Sequence, residues 1–233
     1  MILSIETTTS VCSVALHQTD GQLLALQELH TDRPHAEQLT LLVGQLCKGL
    51  RPAAVAVSAG PGSYTGLRIG ASVAKGLCMG WDVPLIAVDT LQAMAWAMRQ
   101  ALPARLYANQ PAVFVPLLDA RRMEVYTAVF DAQLVREAPT QAQVIADEAF
   151  FAPYLERGNV FLGGDGAAKC QTMVQHPRAH WLLGHPHTTA AAVGALAASA
   201  WAAGRLADVA AFEPFYLKSF AAKISQKTPL KWD

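Results

Sequence analysis

The sequence predicts an α/β protein made of two similar lobes packed on one another. Three observations lead there. Apolar alternation and turn residues give the order βββαβα in the first half, and the same order begins again after residue 107. Hydrophobic residues make up 52% of the chain and charged ones only 15%, which is too apolar for disorder and demands a sizeable core. For a chain of 233 residues, surface scaling gives about 70% burial as one unit and about 66% as two separate halves. Lobes in contact are therefore favoured over two beads on a linker.

Residues 2–8 and 12–18 read as strands around a Thr/Ser-rich turn, and Asp20-Gly21 signals a hairpin into a third strand, 22–30. After Pro34, Leu39, Leu42, Val43, Leu46 and Leu50 recur at helical spacing, with Gly49 near the stop. A short buried strand is expected at 53–58. A Gly-Pro-Gly turn then opens a helix over 65–81, followed by a strand at 84–88 and a helix at 91–101. The second half repeats this with strands at 113–118, 124–130 and 133–137, a helix at 144–155 and a strand at 159–162. A helix at 189–203 and the stretch 208–217 complete it. A βββαβα unit used twice is the order of the actin-like, RNase H-like ATPase fold, in which two lobes flank a cleft; the analogy concerns fold and not function. The lobes are assigned to 1–106 and 107–217, with the C-terminal segment able to pack back on the first lobe. Residues 218–233 read as a solvated tail carrying Lys218, Lys223, Lys227 and Lys231 against Asp233.

With 18 Lys+Arg against 18 Asp+Glu the net charge is zero, so no global field recruits nucleic acid or an acidic membrane. Any RNA contact has to be local or borrowed from a partner. So low a charge suggests that another chain covers part of the surface. The Ala-dominated stretch 188–204 falls short of the roughly 20 strongly apolar residues of a membrane span. The opening MILSIETTTS has no basic region and carries Glu6 in its apolar run, which argues against a signal peptide. Cys12, Cys47, Cys78 and Cys170 stand far apart with no CxxC pair, as expected of reduced thiols in the cytoplasm.

The most informative segment runs from Ser58 to Gly70. Gly60 and Gly62 supply unusual backbone conformations, Pro61 stiffens the turn, and Ser63 or Thr65 can cap the helix that follows. It lacks the Lys-Ser/Thr of a Walker A loop and the spacing of GxGxxG, so it reads equally as a structural turn or as an anion or partner site. Within the helix, Gly66, Gly70, Ala74 and Cys78 form one row at four-residue spacing, and Ser72, Gly76 and Gly80 another. Helical glycines cost about 1 kcal/mol each relative to alanine. Close approach of a second helix would offset that, and so would packing on the chain's own sheet. A literal HxxxH at His176 and His180, followed by His185 and His187, is interrupted by Pro177 and reads as a loop.

GPGSYTGLRIG, the opening MILSIETTTSVCSVAL, His35-Ala36-Glu37, the run DARRMEVY from Asp119 to Tyr126 and the run EPFYL from Glu213 to Leu217 together resemble the TsaB (YeaZ) family. The matches spread from residue 1 to about 217. The resemblance implies the actin-like fold and a non-catalytic subunit of the bacterial machinery that places threonylcarbamoyl on N6 of adenosine 37 in tRNAs reading codons that begin with A. It implies a heterodimer with the catalytic paralogue TsaD and joint recruitment of TsaE. A homodimer is expected when the chain is alone, with tRNA met only through the complex, no membrane and no cofactor or metal. The expected partner surface comprises His35, Leu39 and Leu42 with Gly66, Leu67, Gly70, Val73, Ala74, Leu77 and Cys78, and the motif loop includes Arg68.

In actin-like ATPases a glycine-bearing turn of each lobe cradles phosphate. The first turn here holds Glu6 and Thr8. The second, after Asp119, holds Arg121 and Arg122 and no glycine, so it looks filled. Gly163 and Gly164 resemble the adenosine loop of the fold, so a vestige of a nucleotide site is expected at Glu6, Thr8, Asp119, Gly163 and Gly164. The two metal-binding histidines of the paralogue would fall near Thr90 and Met94, neither a suitable ligand. Two alternatives remain. One is an actin-fold small-molecule kinase using Asp119 and Asp165, and the other a peptidase using Ser63 and His35.

Overall fold

In the computed structural model, which describes residues 1–30, 35–184 and 188–218, two five-stranded sheets repeat one topology. In the first, β1 (Ile2–Glu6), β2 (Val11–His17), β3 (Leu23–His30), β4 (Ala54–Ser58) and β5 (Leu85–Val88) lie in the order β3-β2-β1-β4-β5. In the second, β6 (Ala112–Asp119), β7 (Glu124–Asp131), β8 (Arg136–Val144), β9 (Asn159–Gly163) and β10 (Ala179–Leu182) lie in the order β10-β9-β6-β7-β8, the same sequence from the opposite edge. Each sheet begins as an antiparallel meander and then adds two strands parallel to its first.

Alternation along each first strand decides which helix it meets. Leu3 and Ile5 face α1 (His35–Cys47) and α2 (Tyr64–Trp81), where they share a core with Leu39, Leu42, Ala74 and Cys78. Ile2, with Ala54 and Ile86, faces Val193 and Ala197 of α5 (Ala190–Ala202). Val113, Val115 and Leu117 pack with Leu155 of the short α4 (Ala152–Arg157). Phe114 and Leu118 pack instead with Leu91, Met94 and Met98 of α3 (Thr90–Gln100). Helices α3 and α5 touch, so the layers run α1 with α2, first sheet, α5 with α3, second sheet, α4. The two middle helices are exchanged. α3 precedes the second sheet in sequence yet packs on it, and α5 follows that sheet yet packs on the first. A division after residue 106 separates the sheets but not these helices.

That exchange explains the alanine-rich stretch, since a helix between a sheet and another helix has room for small side chains only. Gly194 shows the limit, because a Cβ there would overlap the imidazole of His17. Among the described residues no helix is long and apolar enough to cross a membrane.

Three elements differ from the sequence reading. The third strand of the second sheet lies at Arg136–Val144 and not at 133–137, because the Asp131 carboxylate accepts from the backbone N–H of Gln133 and Val135 and turns those residues into the hairpin. Its edge position tolerates Pro139. The expected helix at 144–155 is therefore reduced to Ala152–Arg157. β10 was expected as loop, but it adds to β9 in parallel and completes the symmetry.

Replacing Gly194 with Ala should lower stability by about 1–3 kcal/mol through overpacking against His17. The midpoint of urea unfolding measures this, and an unchanged midpoint would show that α5 can move away from β2.

Candidate functional site

A cleft of about 530 Å³ lies between the lobes, lined by Thr8, Thr9 and Ser10 of the first turn, Gly62 to Thr65 of the motif loop, Asp119 to Arg121 of the second turn, and Phe215 to Lys218. The segment after α5 crosses the first lobe to reach it. Ala207 N–H donates to Leu85 O at 2.8 Å, Lys75 Nζ donates to the carbonyls of Ala210 and Phe212, and Phe215 N–H donates to Ala59 O at 2.7 Å. Lys218 then ion-pairs with Glu124 of the second lobe.

The motif loop is pressed onto the first turn. Ser63 N–H donates to Thr8 O at 2.8 Å, and Thr7 Oγ1 donates to Gly66 O at 2.8 Å. Ser63 Oγ caps α2 by accepting from Gly66 N–H at 3.3 Å. A Cβ at Gly62 would lie 2.5 Å from Thr8 Cβ, and one at Gly66 or Gly70 would overlap Thr7. Gly60 has φ of +107°, and its Cβ would lie 2.5 Å from Phe215 O, so glycine is required there on both counts. Pro61 is buried, whereas Thr65 and Arg68 are exposed.

Glu6 does not face the cleft. It is fully buried, and its Oε1 accepts from Thr8 N–H at 2.5 Å and Thr8 Oγ1 at 2.6 Å. Its Oε2 accepts from Ser58 Oγ and, at 3.1 Å, from Thr188 Oγ1. One carboxyl thereby ties the first turn, the end of β4 and the start of α5. Burial pushes its pKa up against the pull of those hydrogen bonds.

The second turn is closed by the chain's own charges. Lys169 Nζ pairs with Asp119 and also donates to the carbonyls of Arg122, at 3.0 Å, and Glu124, at 2.6 Å. Asp165 Oδ1 accepts from Asp119 N–H at 2.8 Å. Arg121 and Arg122 hold φ of +65° and +54°, a region that costs an L-residue about 1–2 kcal/mol and that hairpin turns normally give to Asn-Gly.

Several expected site residues are therefore corrected. Gly163 and Gly164 are absent from the cleft lining, because a Cβ on Gly163 would press on Leu182 and Met98 and one on Gly164 would lie 2.5 Å from Leu117 O. Glu6 is turned inward, and of the five residues expected at the vestigial nucleotide site only Thr8 and Asp119 line the cleft. Thr90 and Met94 are both buried in α3, with Thr90 Oγ1 accepting from Gly60 N–H at 3.1 Å. His176 lies before β10 and accepts from Arg178 N–H, whereas His180 lies within β10 beside Asn159 Oδ1. They share no helix face, and His185 and His187 lie outside the described residues.

The expected partner surface is corrected as well. Leu39, Leu42, Gly66, Leu67, Gly70, Ala74 and Cys78 are buried within this chain, and Val73 and Leu77 are half-buried against the same core. The side chain of His35 lies outside the described part. The outward faces of α1 and α2 carry Leu41 (59% exposed), Met79 (77% exposed) and Gly44, Gly76 and Gly80, whose added Cβ atoms would meet none of the described residues within 4 Å. Leu41, Gly44 and Met79 were missed. Glycine at a mid-helix position of α1 was the available signal.

The two matched sheets around a cleft define a protein of the actin-like α/β class. A family model described as "TsaD: tRNA N6-adenosine threonylcarbamoyltransferase" matches residues 28–226. The "tRNA threonylcarbamoyladenosine biosynthesis protein TsaB" of Haemophilus influenzae is 36% identical over 141 residues, 58% of this chain and 54% of that protein. The protein of the same name from Bacillus subtilis is 30% identical over 172 residues, 70% of this chain and 71% of that one. The match thus spans about half the length of the first relative. The solved structure "YeaZ from Pseudomonas aeruginosa" superposes with a TM-score of 0.72 at 26% identity, covering 93% of this chain and 99% of that one. The chain belongs to the family that this model describes and, within it, to the TsaB (YeaZ) branch.

Because the folded pKa of Glu6 is raised above its ordinary 4.5, the stability it contributes is complete below about that pH and is lost as pH rises through the folded value. Glu6→Gln should remove this dependence and be at least as stable as the parent at neutral pH. Glu6→Ala should lose about 1–3 kcal/mol for each buried donor left unsatisfied. Urea unfolding across pH checks both. Equal damage from Gln and Ala would mean that the ionised carboxylate is essential.

Proposed function

We propose that this chain is a non-catalytic subunit of a tRNA threonylcarbamoyladenosine assembly in the cytoplasm. It pairs with a TsaD-type transferase, helps to recruit a TsaE-type ATPase and forms a homodimer when alone. The observation that carries the scaffold role is the set of open helical glycines. Among the described residues nothing packs on Gly44, Gly76 or Gly80, yet each weakens its helix by about 1 kcal/mol relative to alanine. A partner helix approaching this face offsets that loss, with Leu41, Met79 and the half-buried Val73 and Leu77 supplying apolar contact. The names of the TsaB relatives support the pathway. The lack of catalysis is supported by the use of Asp119, Glu6 and the glycine loops in internal contacts, which leaves the kinase and peptidase alternatives without a supporting observation.

The same face serves the homodimer and the heterodimer, so the transferase displaces a second copy. Gly76→Ala should raise the stability of the isolated protein, because among the described residues nothing opposes the new methyl. Gly76→Leu should weaken binding to the TsaD of the same organism by about 5- to 150-fold, the equivalent of overpacking by 1–3 kcal/mol. Calorimetric titration and light scattering measure the affinity and the mass. Unchanged affinity and mass with Leu would remove α2 from the interface.

A further inference from the structure

The rim of the interlobe cleft combines features that internal packing does not explain. Arg121 and Arg122 sit side by side in the second turn, both exposed and both at positive φ. Among the described residues neither guanidinium has a hydrogen-bond or ion-pair partner, whereas the neighbouring carboxylates of Asp119 and Glu124 are taken up by Lys169 and Lys218. Across the same cleft stand the half-buried Tyr64 and the exposed Phe215 (48%) and Tyr216 (38%), while Tyr126 lies on the arginines' own side, with Lys218 over its ring. The rings of Tyr64 and Tyr216 lie 5.1 Å apart, and Arg68 rests 5.6 Å above Tyr64. Exposed hydroxyls of Ser10, Ser63 and Thr65 line the gap between rings and arginines.

We propose that this rim is a contact site for single-stranded RNA, in which Arg121 and Arg122 take backbone phosphates and the aromatic side chains take unstacked bases. Guanidinium groups match phosphate oxygens in bidentate geometry. Exposed rings accept any base face, and hydroxyls within reach of the sugar favour the 2′-OH of RNA. Arg121 lines the cleft with the rings, and Arg122 follows it on the exposed turn; charge beside rings favours a nucleic acid over an acidic peptide, which would need the charges and not the rings. A cleft of about 530 Å³ admits a splayed nucleotide and not a duplex. Asp165 and Glu213 stand near the same rim, so the field is local and the contact is weak in isolation, in keeping with a net charge of zero. The site adds a direct RNA contact to the scaffold role, and it depends on that role only for which RNA is met in the cell.

Fluorescence anisotropy with the full chain tests this, using a labelled RNA stem-loop and a fully paired duplex of equal length between about 50 and 200 mM salt. The stem-loop should bind more tightly than the duplex. The double variant Arg121→Gly with Arg122→Gly should bind it about tenfold more weakly, and the slope of log affinity against log salt should fall by about 1.4, or 0.7 for each phosphate that is no longer neutralised. The glycines suit the positive φ, so this variant should remain at least as stable as the parent in a thermal melt. Arg121→Lys with Arg122→Lys should retain most of the slope. Tyr216→Ala should weaken binding without altering the slope. Absence of binding, no preference for the loop, or a glycine variant with parental affinity and slope would overturn the proposal. So would a glycine variant that fails to bind TsaD while keeping RNA, since the arginines would then face a protein. Retained TsaD binding with no RNA binding refutes this site and leaves the scaffold role standing.

Discussion

The start of α2 rests on the first turn of the chain with no room for a side chain between them. Gly62, Gly66 and Gly70 abut Thr7 and Thr8, and two hydrogen bonds between Thr7, Thr8, Ser63 and Gly66 hold the two segments together. Most of the architecture follows from that approach. It fixes the direction of α2 across the first sheet, turns Ala74 and Cys78 into the core and leaves Gly76 and Gly80 outward. It also closes the first turn from the helix side. The space left is a cleft lined by hydroxyls and rings.

Linkage between the lobes depends on a few further ties. The Glu6 carboxyl joins the first turn to Thr188 at the head of α5, which runs between the sheets with α3. The return from Ala207 to Lys218 crosses the first lobe and ends in an ion pair with the second. With α3 and α5 exchanged between sheets, neither lobe keeps its full set of covering helices if the two are separated. Helices exchanged in this way tie the two lobes to one another. Cys12 and Cys78, with pKa values pushed up to about 11 by burial, belong to that core and are held as thiols.

The two-lobed order was legible because β1, β2 and β6 are largely apolar runs of strand length and because Asp20-Gly21 and the Gly-Pro-Gly run punctuate the chain. The family was legible because its motifs are spread along the whole sequence. β8 was not, since its Thr, Gln and Ala residues at a sheet edge leave no apolar alternation, and β10 was hidden among histidines usually found in loops. The orientation of α2 could not be read from spacing at all. Small residues four apart look the same whether the helix approaches its own first turn or a partner, and burial alone separates Gly66, Gly70 and Ala74 from Gly76 and Gly80. Glu6 stood out as an acid in an apolar run. That Ser58 and Thr188 converge on it is a fact of long-range topology, and no local pattern encodes it.

The central claim is that the conspicuous glycines of the motif loop serve the chain's own fold, while a different set faces the partner. Gly66→Ala tests it most directly, through urea unfolding of the isolated protein together with its affinity for TsaD. An added methyl at Gly66 meets the backbone of Thr7, so the account predicts a loss of about 1–3 kcal/mol in stability. Full stability combined with abolished TsaD binding would contradict it, because Gly66 would then be part of the interface and the first turn would have room to spare.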